Sequence, residues 1–447
     1  MKWEIEEILA LISEKKYTEV REKIINLNPV HIGEIIENLD LSEAILIFRM
    51  LPKDLAVDVF NYINTEFQEK IIYSITDKEI KHIIDELYFD DMIDLLEEMP
   101  AKVVKKILQN SNVEERKLIN EFLNYPESSA GSLMTIEYVD LKKDMTIREA
   151  IEHIKFTGIN KETIYNCYVI DGHRKLEGIV SLRKLILSDY DLRVEEVMNK
   201  DVVYVNTHQD QEYVAGIFKK YDIIVVPVVD KEDRLTGIIT IDDIIDVIDQ
   251  ENTEDFQKMA AMAPSEEAYL ETGVWTLAKN RLTWLIILML SATFTGGILK
   301  KFEDVLQSVV VLTFFIPMLM DTGGNSGSQS ATLVIRSLAL GEIDEKDTLR
   351  VIMKELGVSL IVGVILSFVN FLRIYYLQGT DLMVSLTVCI TLLFTVVLAK
   401  IVGAILPIVA KKIKVDPAIM ASPLITTIVD AGALMVYFSI AKLLLNI

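Results

Sequence analysis

Hydrophobic and polar positions change rhythm twice along this chain of 447 residues. Over residues 1–128 the apolar residues recur at helical spacing in short runs, and the runs themselves repeat. Leu27, Leu51, Ile75 and Met99 stand 24 residues apart and open LNPVHIGEIIENL, LPKDLAVDVFNYI, ITDKEIKHIIDEL and MPAKVVKKILQNS. A second series, Leu41, Thr65, Phe89 and Val113, keeps the same spacing. Each unit reads as a helical hairpin with proline or threonine near the start of its first helix. A sustained period of this length predicts an all-α superhelical stack, because no helix pair buries its apolar face alone. An ordinary bundle would not hold such a register.

Over residues 129–250 the rhythm shortens. YNCYVIDGHRKLEGIVSLRKLI and IVVPVVDKEDRLTGIITIDDII each read as strand, turn, strand and helix, and they match each other. Asp171 to Asp230 and Gly178 to Gly237 are the same distance apart, and Ser132–Thr135 and Val197–Asn199 open the two copies. This duplicated α+β block resembles a tandem pair of CBS modules, a fold that commonly acts as a sensor. A helix from about Glu254 to Thr272, in the segment 251–274, is expected to link it to the apolar half of the chain.

From residue 275 to 447 the chain is mostly apolar. Runs at about Leu282–Leu299, Val305–Leu333, Leu356–Leu377, Met383–Val409 and Ile419–Leu444 predict five transmembrane helices, since about 20 helical residues cross the hydrocarbon layer. Lys279 and Arg281 precede the first run, Arg350 and Lys354 lie in the second loop, and Lys411, Lys412 and Lys414 crowd the fourth. The third loop, QGTDL, has no lysine or arginine. The positive-inside rule then puts the N-terminus in the cytosol and the C-terminus outside, against Lys300 and Lys301 in the first loop.

Composition narrows the partners. A net charge of −22 argues against nucleic acid, whose phosphates need a basic surface. The mean hydropathy of +0.32 beside 25% charged residues is that of two unlike halves, one acidic and one apolar. Two cysteines, Cys167 and Cys389, make no disulfide framework. The opening MKWEIEEILALISEKKYTEV is amphipathic and acidic, so the expected placement is a multi-pass protein of the cell membrane with its acidic half in the cytosol.

Polar residues inside the apolar half carry the chemistry. PMLMDTGGNSGSQS, Pro317 to Ser330, holds an aspartate, an asparagine, a glutamine, hydroxyls and three glycines. Val305 to Arg336 is 32 residues, roughly 48 Å of helix, so the glycines Gly323, Gly324 and Gly327 are expected to loosen it midway. Irregular backbone at membrane depth survives only in protein or beside a watery path, and Asn325, Ser326, Ser328 and Gln329 favour the path. In ASPLITTIVDAGALMVYF, Asp430 lies amid apolar residues, where a carboxylate marks an ion path, a proton relay or a salt bridge to Arg373 or Lys400. Carboxylate, hydroxyl, amide and carbonyl oxygens suit Mg²⁺, Ca²⁺ or Mn²⁺. Mg²⁺ sheds water reluctantly, so a dimer with one Asp430 from each chain would hold the hydrated ion.

The order of these blocks, with PMLMDTGGNSGSQS on the second span and TTIVD (Thr426–Asp430) on the fifth, resembles the MgtE family of magnesium channels almost end to end. The resemblance implies a homodimer with its pore on the two-fold axis. Asp430 would bind the selected ion, and Asn325, with Gly323 and Gly324, would line the pore. It also implies that Mg²⁺ bridges the cytosolic parts and holds the channel shut. By matching position this falls on Asp90, Asp94, Glu212, Asp222, Asp243, Asp246, Glu251, Glu254 and Asp255, with Asp416 before the last span. The residues agree physically: like charges at such spacing repel unless cations intervene. Some members respond to ATP, but Lys184 stands where an acidic residue would help hold a ribose.

Other classes fit less well. His31, His82, His153, His173 and His208 are scattered without ligand spacing, and no nucleophile motif or Walker A loop is present, so no enzyme is expected. The rival to a channel is a carrier that couples Mg²⁺ or another divalent cation to a second ion.

Overall fold

The computed structural model describes residues 2–265, 269–270, 272–420 and 422–446. It divides into two units, residues 1–247 and 248–447.

The first unit opens with α1 (Lys2–Ser13) and α2 (Tyr17–Ile24), and the repeat comes next. Its first helices are α3 (Pro29–Glu37), α5 (Lys53–Asn61), α7 (Asp77–Glu86) and α9 (Ala101–Asn110). Its second helices, α4 (Leu41–Met50), α6 (Thr65–Ser74), α8 (Phe89–Glu98) and α10 (Val113–Phe122), begin on the second series of the sequence. Side chains at the turns stop and start them: Asp40 accepts from the Glu43 amide and Asn64 from the Phe67 amide, each satisfying a donor the helix leaves open. Ile35, Ile47, Phe60, Ile71, Ile83, Ile93 and Ile107 join one continuous core, as stacked pairs require.

The α+β block is next along the chain. Its first copy holds α11 (Ala130–Leu133), β1 (Val139–Leu141), α12 (Ile147–Thr157), β2 (Asn166–Ile170), β3 (Leu176–Ser181) and α13 (Leu182–Leu187). Its second holds α14 (Val194–Val197), β4 (Val205–Asn206), α15 (Gln211–Tyr221), β5 (Val225–Val229), β6 (Leu235–Thr240) and the start of α16 (Ile241–Met259). In each three-stranded sheet the first strand runs parallel and the third antiparallel to the middle one. The opening segments cross over. Thr135 exchanges backbone hydrogen bonds with Ile238 of the second copy (2.8 and 2.9 Å), and Asn199 does so with Ile179 of the first (2.9 and 2.8 Å). A Cβ at Gly178 would lie 2.8 Å from Met198 Sδ, and one at Gly237 2.6 Å from the Thr135 carbonyl. The matched glycines thus admit the crossing segments.

In the second unit α17 (Val274–Lys301), α20 (Thr348–Leu372, ending in a π-helical turn Arg373–Leu377), α21 (Leu382–Lys412) and α22 (Ser422–Leu445) coincide with the apolar runs. The stretches Val274–Lys301, Glu345–Leu377, Leu382–Lys412 and Pro417–Leu445 are long and apolar enough to cross a membrane. The remaining expected span is divided. A short α18 (Glu303–Ser308) and a 3₁₀ segment (Val310–Phe315) lead into α19 (Ile316–Ala339), which is 24 residues long. The structure departs from the sequence expectation at two points. The break falls before Pro317, whose ring suits a first helical turn, and the glycines lie in unbroken helix. The linking helix ends at Met259, not Thr272: Ala261 turns to φ 53° and Pro264 comes soon after, while residues 266–268 and 271 of that stretch lie outside the described residues.

Candidate functional site

The glycines of α19 serve close packing. A Cβ on Gly323 would stand 2.8 Å from Thr395 Cγ2 of α21 and 2.9 Å from Val429 Cγ1 of α22, and one on Gly324 2.5 Å from Thr426 Cγ2. A Cβ on Gly403 of α21 would meet the Gly327 carbonyl oxygen at 2.2 Å. Small residues let membrane helices approach to backbone contact, and α19 is held this way at Gly323, Gly324 and Gly327. Gly323, Gly324, Ser326, Gly327 and Ser330 are buried, whereas Asp321, Asn325 and Gln329 recur at four-residue intervals away from that contact. That spacing sets three polar side chains on one outward face of the helix.

Asp430 follows Val429 at this contact. Its Oδ1 is buried with no hydrogen-bond partner among the described residues, and so is Oγ1 of Thr395. Neither expected base neutralises it. Arg373 donates to Asn370 Oδ1 (2.9 Å) and lies against Met318 Sδ (3.1 Å). Lys400, 4% exposed, reaches Ser330 Oγ at 3.4 Å, and that hydroxyl donates to Glu355 Oε2 at 2.6 Å. Orphaned buried oxygens call for an ion or water to complete them. Thr395 and Glu355 are not marked as site residues by the sequence pattern. The recurrence of Thr387, Thr391 and Thr395 at four-residue intervals is the available signal for the first.

The first unit gathers Asp90 and Asp91 of α8 with Asp243 and Asp242 of α16, and adds Glu162 and Glu137, which the sequence does not single out. Asp90 is 8% exposed; burial, then Asp243, Asp91 and Glu162, hold its carboxyl well above the usual range. Burial raises Asp91 against the hydrogen bond from Asn61 Nδ2 (2.6 Å). Burial also lifts Asp243 to about 6, opposed by the Thr240 hydroxyl (2.8 Å) and helped by Asp242 and Asp91. Glu162 is pushed up to about 7 by burial, Asp242, Asp243, Asp91 and Glu137, and its Oε2 is buried without a partner among the described residues. Such a crowd invites protons or a cation. Among the described residues, though, no three His, Cys, Asp or Glu side chains close into a metal-ligating group.

The other expected residues are dispersed. Asp94 on α8 and Asp246 on α16 are both exposed. Glu212 lies exposed in the first turn of α15, and Asp222 closes that helix in the left-handed conformation at φ 50°. Glu251 is half-buried on α16. Glu254, Asp255 and Asp416 do come together, around a lysine: Lys258 Nζ pairs with Asp416 Oδ2 at 2.6 Å and with Glu254. Next to it, Met259 packs against the cluster of Ala331, Ile335, Ala399, Ile425 and Val429. In the α+β block, Tyr165, Asn166, Ser181, Arg183 and Ile224 line a cavity of about 690 Å³ whose lining has no carboxylate.

Known proteins place the whole. Residues 316–440 match the MgtE family model, described as a divalent cation transporter, residues 27–128 match the MgtE intracellular N domain, and residues 130–190 and 194–250 match CBS domains. The chain is 38% identical, over 96% of its length and 95% of the other protein, to the magnesium transporter MgtE of Thermus thermophilus. It is 33% identical to that of Bacillus subtilis, covering 97% and 96% of the two chains. A crystal structure of the soluble part of a magnesium transporter superposes with a TM-score of 0.52 at 32% identity, over 56% of this chain and 99% of the other. One of the cytosolic domain of the Mg²⁺ channel MgtE in complex with ATP gives 0.51 at 34% identity, over 54% and 98%. With blocks, motifs and near full-length similarity in agreement, the chain belongs to the MgtE family of divalent cation transporters.

Proposed function

We propose that this protein is a Mg²⁺ channel of the cell membrane, closed by the ion it admits. The observation that carries the reading is Asp430: a membrane-helix carboxylate with one buried oxygen unpartnered among the described residues, while Arg373 and Lys400 are engaged elsewhere. Two copies of the chain, each offering Asp430 and the outward face of α19 with Asn325, form the pore, and a ring of two carboxylates holds hydrated Mg²⁺ through its water. Gly323 and Gly324 bring α19 against Asp430's helix and so set the width of that ring. The N-terminus is cytosolic.

The acidic crowd is the sensor. Asp90, Asp243 and Glu162, with Asp91 and Asp242 beside them, repel one another when Mg²⁺ is scarce and are drawn together when it is abundant. Asp94, Glu212, Asp222, Asp246 and Glu251 add outer carboxylates, and Glu254, Asp255 and Asp416 form a further site on the membrane unit. The segment 251–274, which begins on α16, passes the change to the pore. Nucleotide is not needed for this response.

Patch-clamp recording with Mg²⁺ as charge carrier tests the reading, stepping cytosolic Mg²⁺ from micromolar to about 10 mM. Single-channel openings that vanish as Mg²⁺ rises, and are missing in Asp430→Ala, are expected. Mg²⁺ uptake through an electrically silent membrane would replace the channel with a coupled carrier.

A further inference from the structure

Lys258 stands where a cation is wanted. It lies on the last turn of α16 between Glu254, one helical turn before it, and Asp416, on the loop ahead of α22. Its ammonium is 2.6 Å from Asp416 Oδ2 and pairs with Glu254, and the side chains of Lys258, Asp416 and Glu254 are only 21%, 31% and 35% exposed. Asp255 faces the same group: Asp416, Lys258, Glu254 and Arg336 of α19 are the charges that act on it. The other oxygen of Asp416 is taken by the Ala418 amide at 2.8 Å. Burial works against the charge on Lys258, but its hydrogen bonds to Asp416 and Glu254 outweigh burial and hold the ammonium charged.

We infer that Lys258 is a tethered competitor for the divalent-cation site of Glu254, Asp255 and Asp416. The inference rests on the assignment of those three carboxylates to Mg²⁺ made above. An ammonium has three donors and no acceptor, so the lone pairs it occupies on Asp416 and Glu254 are unavailable to a metal or to metal-bound water. It carries one positive charge against three carboxylates, whereas Mg²⁺ brings two. The divalent ion therefore wins only above a threshold concentration, and that threshold is set by how firmly the lysine holds. Because the competitor is part of the chain, its local concentration does not change with the ionic content of the cell. Displacement also unties Glu254 from Asp416, so metal entry and the α16–loop connection are coupled. Met259, the next residue, packs against the cluster of α19, α21 and α22 that contains Val429, the neighbour of Asp430.

Isothermal titration of the full-length chain in detergent with Mg²⁺ tests this. Lys258→Met keeps the helix propensity and stem length and removes the charge; binding should tighten by about fivefold, the worth of a partly screened ion pair. Lys258→Gln should do the same, and Lys258→Arg should keep the original affinity. The gain should vanish when Glu254→Gln and Asp416→Asn are added. Unchanged or weaker binding in both Lys258→Met and Lys258→Gln would overturn the inference and leave the lysine as a structural tie. Inhibition of Mg²⁺ flux by internal Mg²⁺, measured in the same variants, separates the two levels. Tighter binding without any inhibition in the parent protein would overturn the self-gated channel and keep the competitor.

Discussion

The acidic crowd of the first unit and Asp430 of the second live in opposite conditions. In the first unit Asp90, Asp91, Asp242, Asp243 and Glu162 crowd together, and the strongest charges on Asp90, Asp91, Asp243 and Glu162 are negative. In the membrane unit Asp430 is flanked on its helix by apolar residues and glycine, with Val429 and Thr426 pressed onto the glycines of α19. A crowd changes its energy steeply with the number of cations it holds, so it responds to concentration. A lone carboxylate in a rigid helical contact offers one charge at one position, which suits selection and passage. Under the proposed function, the difference makes the same residue type a gauge in one place and a filter in the other, according to its neighbours.

Removing the lone charge should have the largest effect. Asp430→Asn keeps the shape and, with about 3 kcal/mol of charge attraction gone, should reduce Mg²⁺ flux into proteoliposomes by about 100-fold. Flux near the original level would break the comparison at its membrane end. The rigidity of that end is tested next. Gly403→Ala drives a Cβ into the Gly327 carbonyl at 2.2 Å, and backbone cannot rotate aside as a side chain can. It should destabilise by about 3 kcal/mol, read as a lowered Tm in detergent. Gly324→Ala, which meets only the Thr426 methyl at 2.5 Å, should lower it less.

The crowded end should yield by degrees. Asp243→Asn or Glu162→Gln removes one charge of several, so the internal Mg²⁺ needed for half-inhibition should rise roughly threefold to tenfold, about 0.7–1.4 kcal/mol. An unchanged midpoint in both would remove the sensor role from the cluster. The smallest effect is on pH. Asp243 and Glu162 have folded values of about 6 and about 7, above their ordinary ones of 3.8 and 4.5. Their compact form is therefore favoured below about pH 4 and loses stability as pH rises through 6 to 7, where they ionise in place. In chelator, the first unit should exchange amide hydrogens more slowly at pH 5.5 than at pH 7.5, after correction for the intrinsic rate. Saturating Mg²⁺ should narrow that gap, because the cation replaces the protons.

Much of this is legible in the chain. The 24-residue series locates the second helix of every repeat at its first residue, because each turn must recur for the stack to bury its apolar faces. Asp430 and the polar run at Pro317–Ser330 stand out because hydrocarbon tolerates neither without a reason. The role of the glycines is not legible. Composition alone marks Gly323, Gly324 and Gly327 as weak helix formers, but in a membrane the gain from backbone-close packing against α21 and α22 outweighs that propensity. The linking helix also stops short of its expected end, and Pro264 is the local signal for that stop.

What the sequence determined by itself is the periodic part: the helical repeat, the duplicated α+β block, the apolar helices, and the charges that fit neither core nor lipid. Period and polarity are local quantities, read within a turn or a strand. What only the tertiary structure decided is partnership. Thr135 pairs with the second copy and not its own, Glu162 joins aspartates that lie some 70 to 80 residues away on either side, and Lys258 ties Glu254 to Asp416. Lys400 goes to Ser330, and Asp430 keeps a buried oxygen unpartnered among the described residues. These depend on contacts between distant segments, whose geometry is set by packing and leaves no local periodicity to read.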